Sequence, residues 1–400
     1  MKILLVEPNF PISTKSKNHK DFLPIGLLKI ASFLRDNNHE IKLFRSFSNN
    51  LDLIRELEKF NPNEIWVTSL FTYWSKYVKE SVEYYKALFP KSRIIVGGIY
   101  ASLMPEHCKK YSGCDDVHIG LYKEAEIFFP AYDLVDVDYQ ILHTSRGCIR
   151  KCKFCGTYKI EPKFYSKRSI KDEIRSNKLI FYDNNLLANK FIDNILNELI
   201  GIKFGNKSVY CECQSGFDGR ILTKELALKL KLARFLNPRI AWDNSYEDYS
   251  EIESQIGILI EAGYEPKEIY IFMIYNYATP FKIMEQKRKK CFNWGVQISD
   301  CRYRPLNCTF DNYNPYRINQ DNNEYFIHEK WTDREIKLFR KNVRRQNICI
   351  RHDFPFYSSA LENKIINNKI LDDIKKMDSL SKKIQYLDKY NIDYWIPNGE

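Results

Sequence analysis

With 400 residues, 44% of them hydrophobic, the chain is long enough to bury a sizeable core divided among two or three domains. Its net charge of +11 (62 Lys+Arg against 51 Asp+Glu) admits an anionic partner, but a pI of about 8.9 falls just short of a basic footprint, so the excess reads as a solvated, lysine-rich surface. Eleven cysteines, an odd number, exclude a complete disulfide framework, and the absence of a signal-peptide pattern or an 18-residue apolar run predicts a cytoplasmic chain with no membrane span.

The chain opens with "KILLVEP", a run dense enough in Ile, Leu and Val for a buried strand. "GLLKIASFLRDNNHE" then places Leu27, Leu28, Ala31 and Leu34 on one helical face. "EIKLF" and "EIWVTSLF" read as strands with a helix between them, "SKYVKESVEYYKALFP" as a helix, and "RIIVGG" and "DDVHIG" as two more strands. Five strands alternating with helices predict a doubly wound parallel sheet over residues 1–138. Ligands of such sheets lie beyond the carboxyl ends of the strands, here near Pro8, residues 69–74 ("SLFTYW") and residues 97–102 ("GGIYAS").

The connector "FPAYDLVDVDYQ" leads to "ILHT", a short strand that runs straight into a cysteine loop. A second series follows: "KLIFY", "SVYCEC", "RIAW", "EIYIFMI" and "GVQIS" as strands, with helix patterns between them such as Ala188, Phe191, Ile192, Ile195, Leu196 and Leu199. Six strands counting "ILHT" predict a partial (β/α)6 barrel over residues 139–308, with its chemistry at the strands' carboxyl ends. Residues 309–400 read as a mainly helical C-terminal region, and the tail "DYWIPNGE" as an aromatic docking segment or a frayed end.

The loop after "ILHT" reads "TSRGCIRKCKFCGTY" and carries Cys148, Cys152 and Cys155 with no fourth cysteine beside them. Three thiolates can hold three irons of a cubane cluster and leave the fourth iron free to bind a substrate or cofactor. The alternatives are a zinc knob completed by His143 or a distant cysteine, and a cluster used only for electron transfer. The spacing C-x3-C-x2-C, with the aromatic Phe154 before the last cysteine, resembles the signature of the radical S-adenosylmethionine (SAM) superfamily. That resemblance implies a 4Fe–4S cluster whose open iron chelates the amino and carboxylate groups of SAM. It also implies reductive cleavage to a 5′-deoxyadenosyl radical, a partial barrel with the cluster loop after its first strand, and an electron donor such as flavodoxin or ferredoxin.

Polar strand ends are candidates for holding SAM. After the second barrel strand, Asp183 and Asn184 stand where the family often has Gly-Gly-Glu, and resemble instead a variant found in members with a cobalamin-type domain; a helix N-cap is the alternative role. Gln214 and Ser215 end the third strand, and Asp243 and Asn244 the fourth. On the fifth, Met273 and Tyr275 are expected on adenine and Asn276 at its edge.

Residues 1–138 resemble the cobalamin-binding domain found ahead of many radical SAM barrels, through "LLVEPNFP", "SLFTYW", "VGGIYASLMPE" and "DDVHIGLYKEAE". Tyr73, Gly97, Gly98 and Ala101 mark the edge implied for cobalamin, the glycines because a backbone without Cβ lets a large planar ligand approach. The cobalt-ligating pattern D-x-H-x-x-G is absent, and Tyr73, Trp74 and Tyr100 would either stack on a corrin or fill its place. Cys291, Cys301, Cys308 and Cys349 match no auxiliary-cluster spacing and read as buried free thiols. The basic run "RKNVRRQNICIRH" reads as a solvated helix face in preference to a phosphate contact.

The expectation is thus a radical SAM enzyme acting on a small molecule, peptide or nucleic acid. With cobalamin carrying the methyl group it would methylate an unactivated carbon; without it, it would rearrange, cleave or couple. The contrasting class is a noncatalytic zinc-bearing nucleic-acid binder.

Overall fold

A computed structural model describes residues 1–12, 23–45, 51–363 and 368–399. The chain divides into two compact units, one of Met1–Ser215, Arg304–Asn314 and Gln320–Phe326, the other of Gly216–Tyr303, Pro315–Asn319 and Ile327–Glu400. The sequence divisions at 138 and 308 follow the strand series, whereas the compact units cut through the second series.

In the first unit, β1 (Lys2–Glu7), β2 (Glu40–Arg45), β3 (Glu64–Ser69), β4 (Arg93–Gly98) and β5 (Asp116–Val117) form a sheet in the order β2-β1-β3-β4-β5. Every pairing in it is parallel. The continuous apolar run of β1 has a direct cause. Ile3 and Leu5 pack against Leu27, Ala31 and Leu34 of α1 (Ile25–Asp36). Leu4 and Val6 belong to the core of the opposite face, with Leu57 and Phe60 of α2 (Leu51–Phe60) and Val78, Val82 and Tyr85 of α3 (Ser75–Leu88). A strand buried on both faces cannot alternate with polar residues.

Beyond β4 the chain turns into α4 (Ile99–Leu103) and α5 (Pro105–Ser112). Gly98 makes this turn with φ +98°, and a Cβ there would lie 2.2 Å from the Ser69 carbonyl oxygen. The Ser69 hydroxyl donates to the Gly97 carbonyl at 2.7 Å and accepts from the Ala101 N–H at 3.1 Å. Contact with β3 therefore already requires glycine at 98. Tyr100 and Ala101 are fully buried, and the Tyr100 ring belongs to the core with its hydroxyl on His107 Nδ1 at 2.6 Å. The expectation that Tyr100 lines the open edge is corrected by this burial.

The same unit continues with β6 (Gln140–Leu142), the antiparallel pair β7 (Ser145–Arg146) and β8 (Tyr165–Ser166) flanking α6 (Thr157–Ile160), then β9 (Lys178–Phe181) and α7 (Ile192–Leu199). A small hairpin, β10 (Lys203–Phe204) with β11 (Lys207–Ser208), precedes β12 (Tyr210–Cys213). Strands β6, β9 and β12 are parallel neighbours. Ala188 closes a 3-10 turn and the helix starts only at Ile192, because the Asn189 side chain bonds the Thr144 and Lys167 carbonyls and the Phe191 N–H.

The second unit holds α8 (Lys224–Leu232), β13 (Phe235–Leu236), β14 (Arg239–Ala241), α9 (Tyr249–Glu261), β15 (Tyr270–Tyr275), α10 (Phe281–Asn293) and β16 (Gln297–Arg302). Strands β14, β15 and β16 are parallel. Helix α11 (Asp333–Arg351) packs on α10 and β16, and α12 (Ser359–Glu362), α13 (Asn368–Lys376) and α14 (Leu380–Lys389) complete the helical end. The basic run is the outer side of α11: Arg344 pairs with Glu362, and Arg345 lies over the Tyr357 and Trp395 rings. The tail is docked. Trp395 bridges Tyr357, and the buried Arg288 guanidinium covers the Trp395 ring and bonds the Pro397 carbonyl at 2.9 Å and Gln346 at 2.8 Å. Among the described residues, no helix is long and apolar enough to cross a membrane.

Two outcomes follow for stability. Gly98→Ala should destabilise the first unit by at least about 2 kcal/mol in denaturant melts, through strain and clash, while Gly97→Ala, whose Cβ would meet only His118 at 3.7 Å, should stay within about 1 kcal/mol. Arg288→Ala should cost about 3 kcal/mol or more, since it leaves Glu285 and Gln346 without their buried partner.

Candidate functional site

The register of β6 beside β9 pairs Leu142 with Phe181, so two residues further on Thr144 meets Asp183. Asp183 is fully buried and accepts from the N–H groups of Thr144 (3.0 Å) and Ser145 (2.6 Å) and from both hydroxyls (2.7 and 2.6 Å). Burial pushes its carboxyl above the ordinary range, against these hydrogen bonds, which favour the charged form. Asp183 therefore fixes the base of the cysteine loop. It neither caps α7, whose N-cap is Phe191, nor offers an open oxygen to a cofactor.

The next turn is equally constrained. Gly147 has φ +73°, and a Cβ there would stand 2.4 Å from the Lys163 carbonyl. Its N–H donates to Glu161 Oε2 at 2.7 Å, and the other Glu161 oxygen lies 2.9 Å from Arg146. Arg146 also faces Glu126 at 3.6 Å, and Glu126 pairs with Lys29 of α1 at 3.2 Å. These four side chains are only 11–19% exposed and alternate in sign, so each charge has an opposite neighbour where water screens poorly. Burial lowers the pKa of Lys29, and Glu126 opposes that shift.

The three cysteines lie between β7 and β8, half-buried and outside any disulfide. The Arg150 N–H donates to Cys148 Sγ at 3.3 Å. Cys155 Sγ lies 3.3 Å from Thr157 Oγ1, which reaches Asn184 Oδ1 at 3.2 Å, and Asn184 Nδ2 reaches Glu161 at 3.4 Å. Gly156 fits under α4, where a Cβ would be 3.3 Å from Leu103. Among the described residues, no three His, Cys, Asp or Glu side chains close around a single ion. A cubane asks for less, because each thiolate meets a different iron. His143 is buried against Tyr182 and its pKa is held well below the usual value, chiefly by burial and then by Arg146, Lys29 and Lys167.

The other sequence candidates separate into two groups. In the first unit, Gln214 follows β12 beside β9, its N–H on the Phe181 carbonyl at 3.1 Å, and its Nε2 is buried without a protein partner, while Ser215 is exposed. In the second unit, Asp243 and Asn244 follow β14. Asp243 keeps an unpartnered buried Oδ1, and burial pushes its pKa up to about 6 against the pull of Lys287 and Arg220. Lys287, itself lowered to about 8 by burial, props this turn by donating to the Trp242 and Asn244 carbonyls. Met273 and Tyr275 share the buried face of β15, with the Tyr275 ring against Phe339 of α11 and Trp331. Asn276 is buried, with its Oδ1 accepting from the His328 N–H at 2.9 Å and its Nδ2 near the Tyr303 carbonyl at 3.4 Å. Strand alternation thus puts Met273 and Tyr275 on a packed face, while Asn276, just past the strand, is engaged by His328 and Tyr303.

At the carboxyl edge of the front sheet, Phe71 stacks on Tyr73 (5.0 Å, 7°), Trp74 stacks on Phe10 at 5.3 Å, and Arg304 lies over Tyr73 at 4.4 Å. Gly97, paired with Thr68 of β3, has open space at its Cβ position apart from His118 at 3.7 Å. Of the remaining cysteines, Cys291 and Cys349 are buried as expected, whereas Cys301 is exposed and Cys308 half-buried. Sequence reasoning missed Thr157, Glu161, Arg146 and Lys287. Only Thr157, two residues past the last cysteine, carried a positional hint, and Lys287 lay hidden in the charged run "EQKRKKC".

Comparison with known proteins agrees with this layout. Residues 16–127 match the model of the B12 binding domain. An uncharacterized methyltransferase of Pyrococcus horikoshii is 23% identical over 48% of this chain and 53% of its own, so the chain spans about half the length of that curated relative. Among solved structures, the radical SAM methyltransferase TsrM of Kitasatospora setae, bound to tryptophan and a SAM analogue, covers 76% of this chain and 75% of its own at TM-score 0.61 and 13% identity. The cobalamin-dependent SAM radical enzyme OxsB, with aqua-cobalamin and SAM bound, covers 73% of this chain and 51% of its own at TM-score 0.52 and 14% identity. The chain thus carries an N-terminal segment that matches the B12 binding domain and shares its fold with these two solved enzymes.

Proposed function

We propose that this protein is a radical SAM enzyme that cleaves SAM reductively at a 4Fe–4S cluster and, with cobalamin on its front domain, methylates an unactivated carbon. The observation that carries the reading is the three-cysteine loop anchored by Asp183 in the same compact unit as a B12-binding domain. Within the chain, residues 1–138 would form the cobalamin domain, 139–308 the barrel and 309–400 the C-terminal region, with flavodoxin or ferredoxin as the class of electron donor.

The donor set fits the groups it would hold. Cys148, Cys152 and Cys155 would ligate three irons, and the Arg150 N–H would offset charge at Cys148. When bound, the cluster supplies the electron that breaks the sulfonium bond of SAM to give a 5′-deoxyadenosyl radical, and cobalamin carries the transferred methyl group. Within the first unit, Gln214 Nε2 is a buried donor without a protein partner and so suits a carboxylate or hydroxyl oxygen of SAM. Asp183 and Asn184 move from cofactor contact to holding the loop. Gly97, Tyr73 and Phe71 would meet a corrin face, a role supported by the stacked ring pair and the space at the Gly97 Cβ position.

A second reading, a cobalamin-independent radical enzyme, is favoured by one feature. The Phe10, Phe71, Tyr73 and Trp74 rings already pack together at the front edge, and Ala101 is wholly buried.

Anaerobically reconstituted protein under strong reductant should yield methionine and 5′-deoxyadenosine from SAM, and replacing all three cysteines by alanine should abolish both iron–sulfide content and cleavage; undiminished cleavage in the triple variant would overturn the assignment. Titration with hydroxocobalamin should give stoichiometric binding that Gly97→Leu reduces at least tenfold. Cluster-loaded protein that retains no cobalamin would select the second reading. Gly98 is unsuitable for that test, because its substitution strikes Ser69 directly.

A further inference from the structure

The hydrogen-bonded chain from Cys155 through Thr157 and Asn184 to Glu161 has a direction. In the thiol state Cys155 donates to Thr157 Oγ1 at 3.3 Å, Thr157 donates to Asn184 Oδ1 at 3.2 Å, and Asn184 Nδ2 donates to Glu161 Oε2 at 3.4 Å. A cysteine that ligates iron is a thiolate with no proton to give, so it can only accept. The Thr157 hydroxyl then has two acceptors within reach, a neutral amide oxygen and an anionic sulfur. Charge-assisted hydrogen bonds are about twice as strong as neutral ones, so the sulfur wins.

We infer that Thr157 is the residue that tunes the cluster, its hydroxyl turning from Asn184 to donate to the ligated Cys155 sulfur. This rests on the reading that Cys155 holds a cluster iron. Hydrogen bonds to cluster sulfurs set reduction potential together with charge and exposure. The bond strengthens as negative charge accumulates on reduction, so it raises the potential and eases electron entry. Position favours the role. Thr157 opens α6, the short turn seated under α4, and Glu161 just past that turn is fixed by Arg146 and the Gly147 N–H. The hydroxyl is therefore held near the sulfur by the same scaffold that shapes the loop. Thr157 would act as a positioning and tuning residue and never touches SAM or substrate in this account.

The test is a redox titration of the reconstituted cluster followed by electron paramagnetic resonance, with iron and sulfide measured on the same samples. Thr157→Val keeps the shape and removes the donor; Thr157→Ser keeps the donor. At equal iron content, Thr157→Val should lower the reduction equilibrium constant about tenfold, which is about 59 mV more negative for one electron, and Thr157→Ser should restore it. A valine variant with wild-type potential, or a serine variant that behaves as valine does, overturns the inference while leaving the cluster assignment intact. Wild-type protein that binds no iron and sulfide overturns both.

Discussion

The carboxylate of Asp183, closed inside the first unit with four donors from Thr144 and Ser145 around it, is what the cysteine loop hangs from. The loop runs 18 residues from Gly147 to Phe164 with only a one-turn helix inside, so it has little secondary structure of its own to hold three sulfurs in place. A buried carboxylate is costly unless it is hydrogen-bonded, and here four donors converge on Oδ1 while Oδ2 shares the Thr144 N–H at 3.0 Å. Removing any donor would leave charge stranded in the core. That penalty keeps the first step of the loop in one conformation, and Gly147 and Glu161 fix the second.

The constraint extends outward. Glu161 is shared by Arg146, Gly147 and Asn184, and Arg146 is shared with Glu126, which ties to Lys29 on the first helix of the front domain. Isolated surface pairs contribute about 0–1 kcal/mol each, but a partly buried network of alternating sign defines geometry even where its net stabilisation is small. In this protein the geometry it defines is the distance from the sheet that matches B12-binding domains to the loop that carries the sulfurs.

Much of this was legible in the amino-acid order. The apolar run of β1 announced a two-faced strand, and the eleven principal strands expected from β-branched runs all formed, although β5 shrank to two residues. The cysteine spacing marked the loop as a site, with a zinc knob and an electron-transfer cluster as the alternatives to an open cubane. What stayed hidden were partners created by register and alternation. Nothing local says that Asp183 will lie beside Thr144; the parallel pairing of β6 with β9 decides that. Met273 and Tyr275 sit at a strand's carboxyl end, which sequence can see, but on the face covered by α11, which it cannot. Glycine 98 was read for a ligand's sake, and its neighbour in space turned out to be a serine carbonyl.

The seat of Gly156 beneath Leu103 has a consequence for how such a chain can be divided. By sequence the front sheet looks like a detachable module joined by a connector. Yet the helix that leaves its fourth strand forms the wall against which the last cysteine's neighbour rests, and its first helix neutralises the charge beside the first cysteine's turn. Cutting at the connector would bare that wall and leave Arg146 with Glu161 but without Glu126. The module boundary drawn by sequence is a junction packed by the cysteine loop, so a front domain cut free there would expose surface that the intact chain buries.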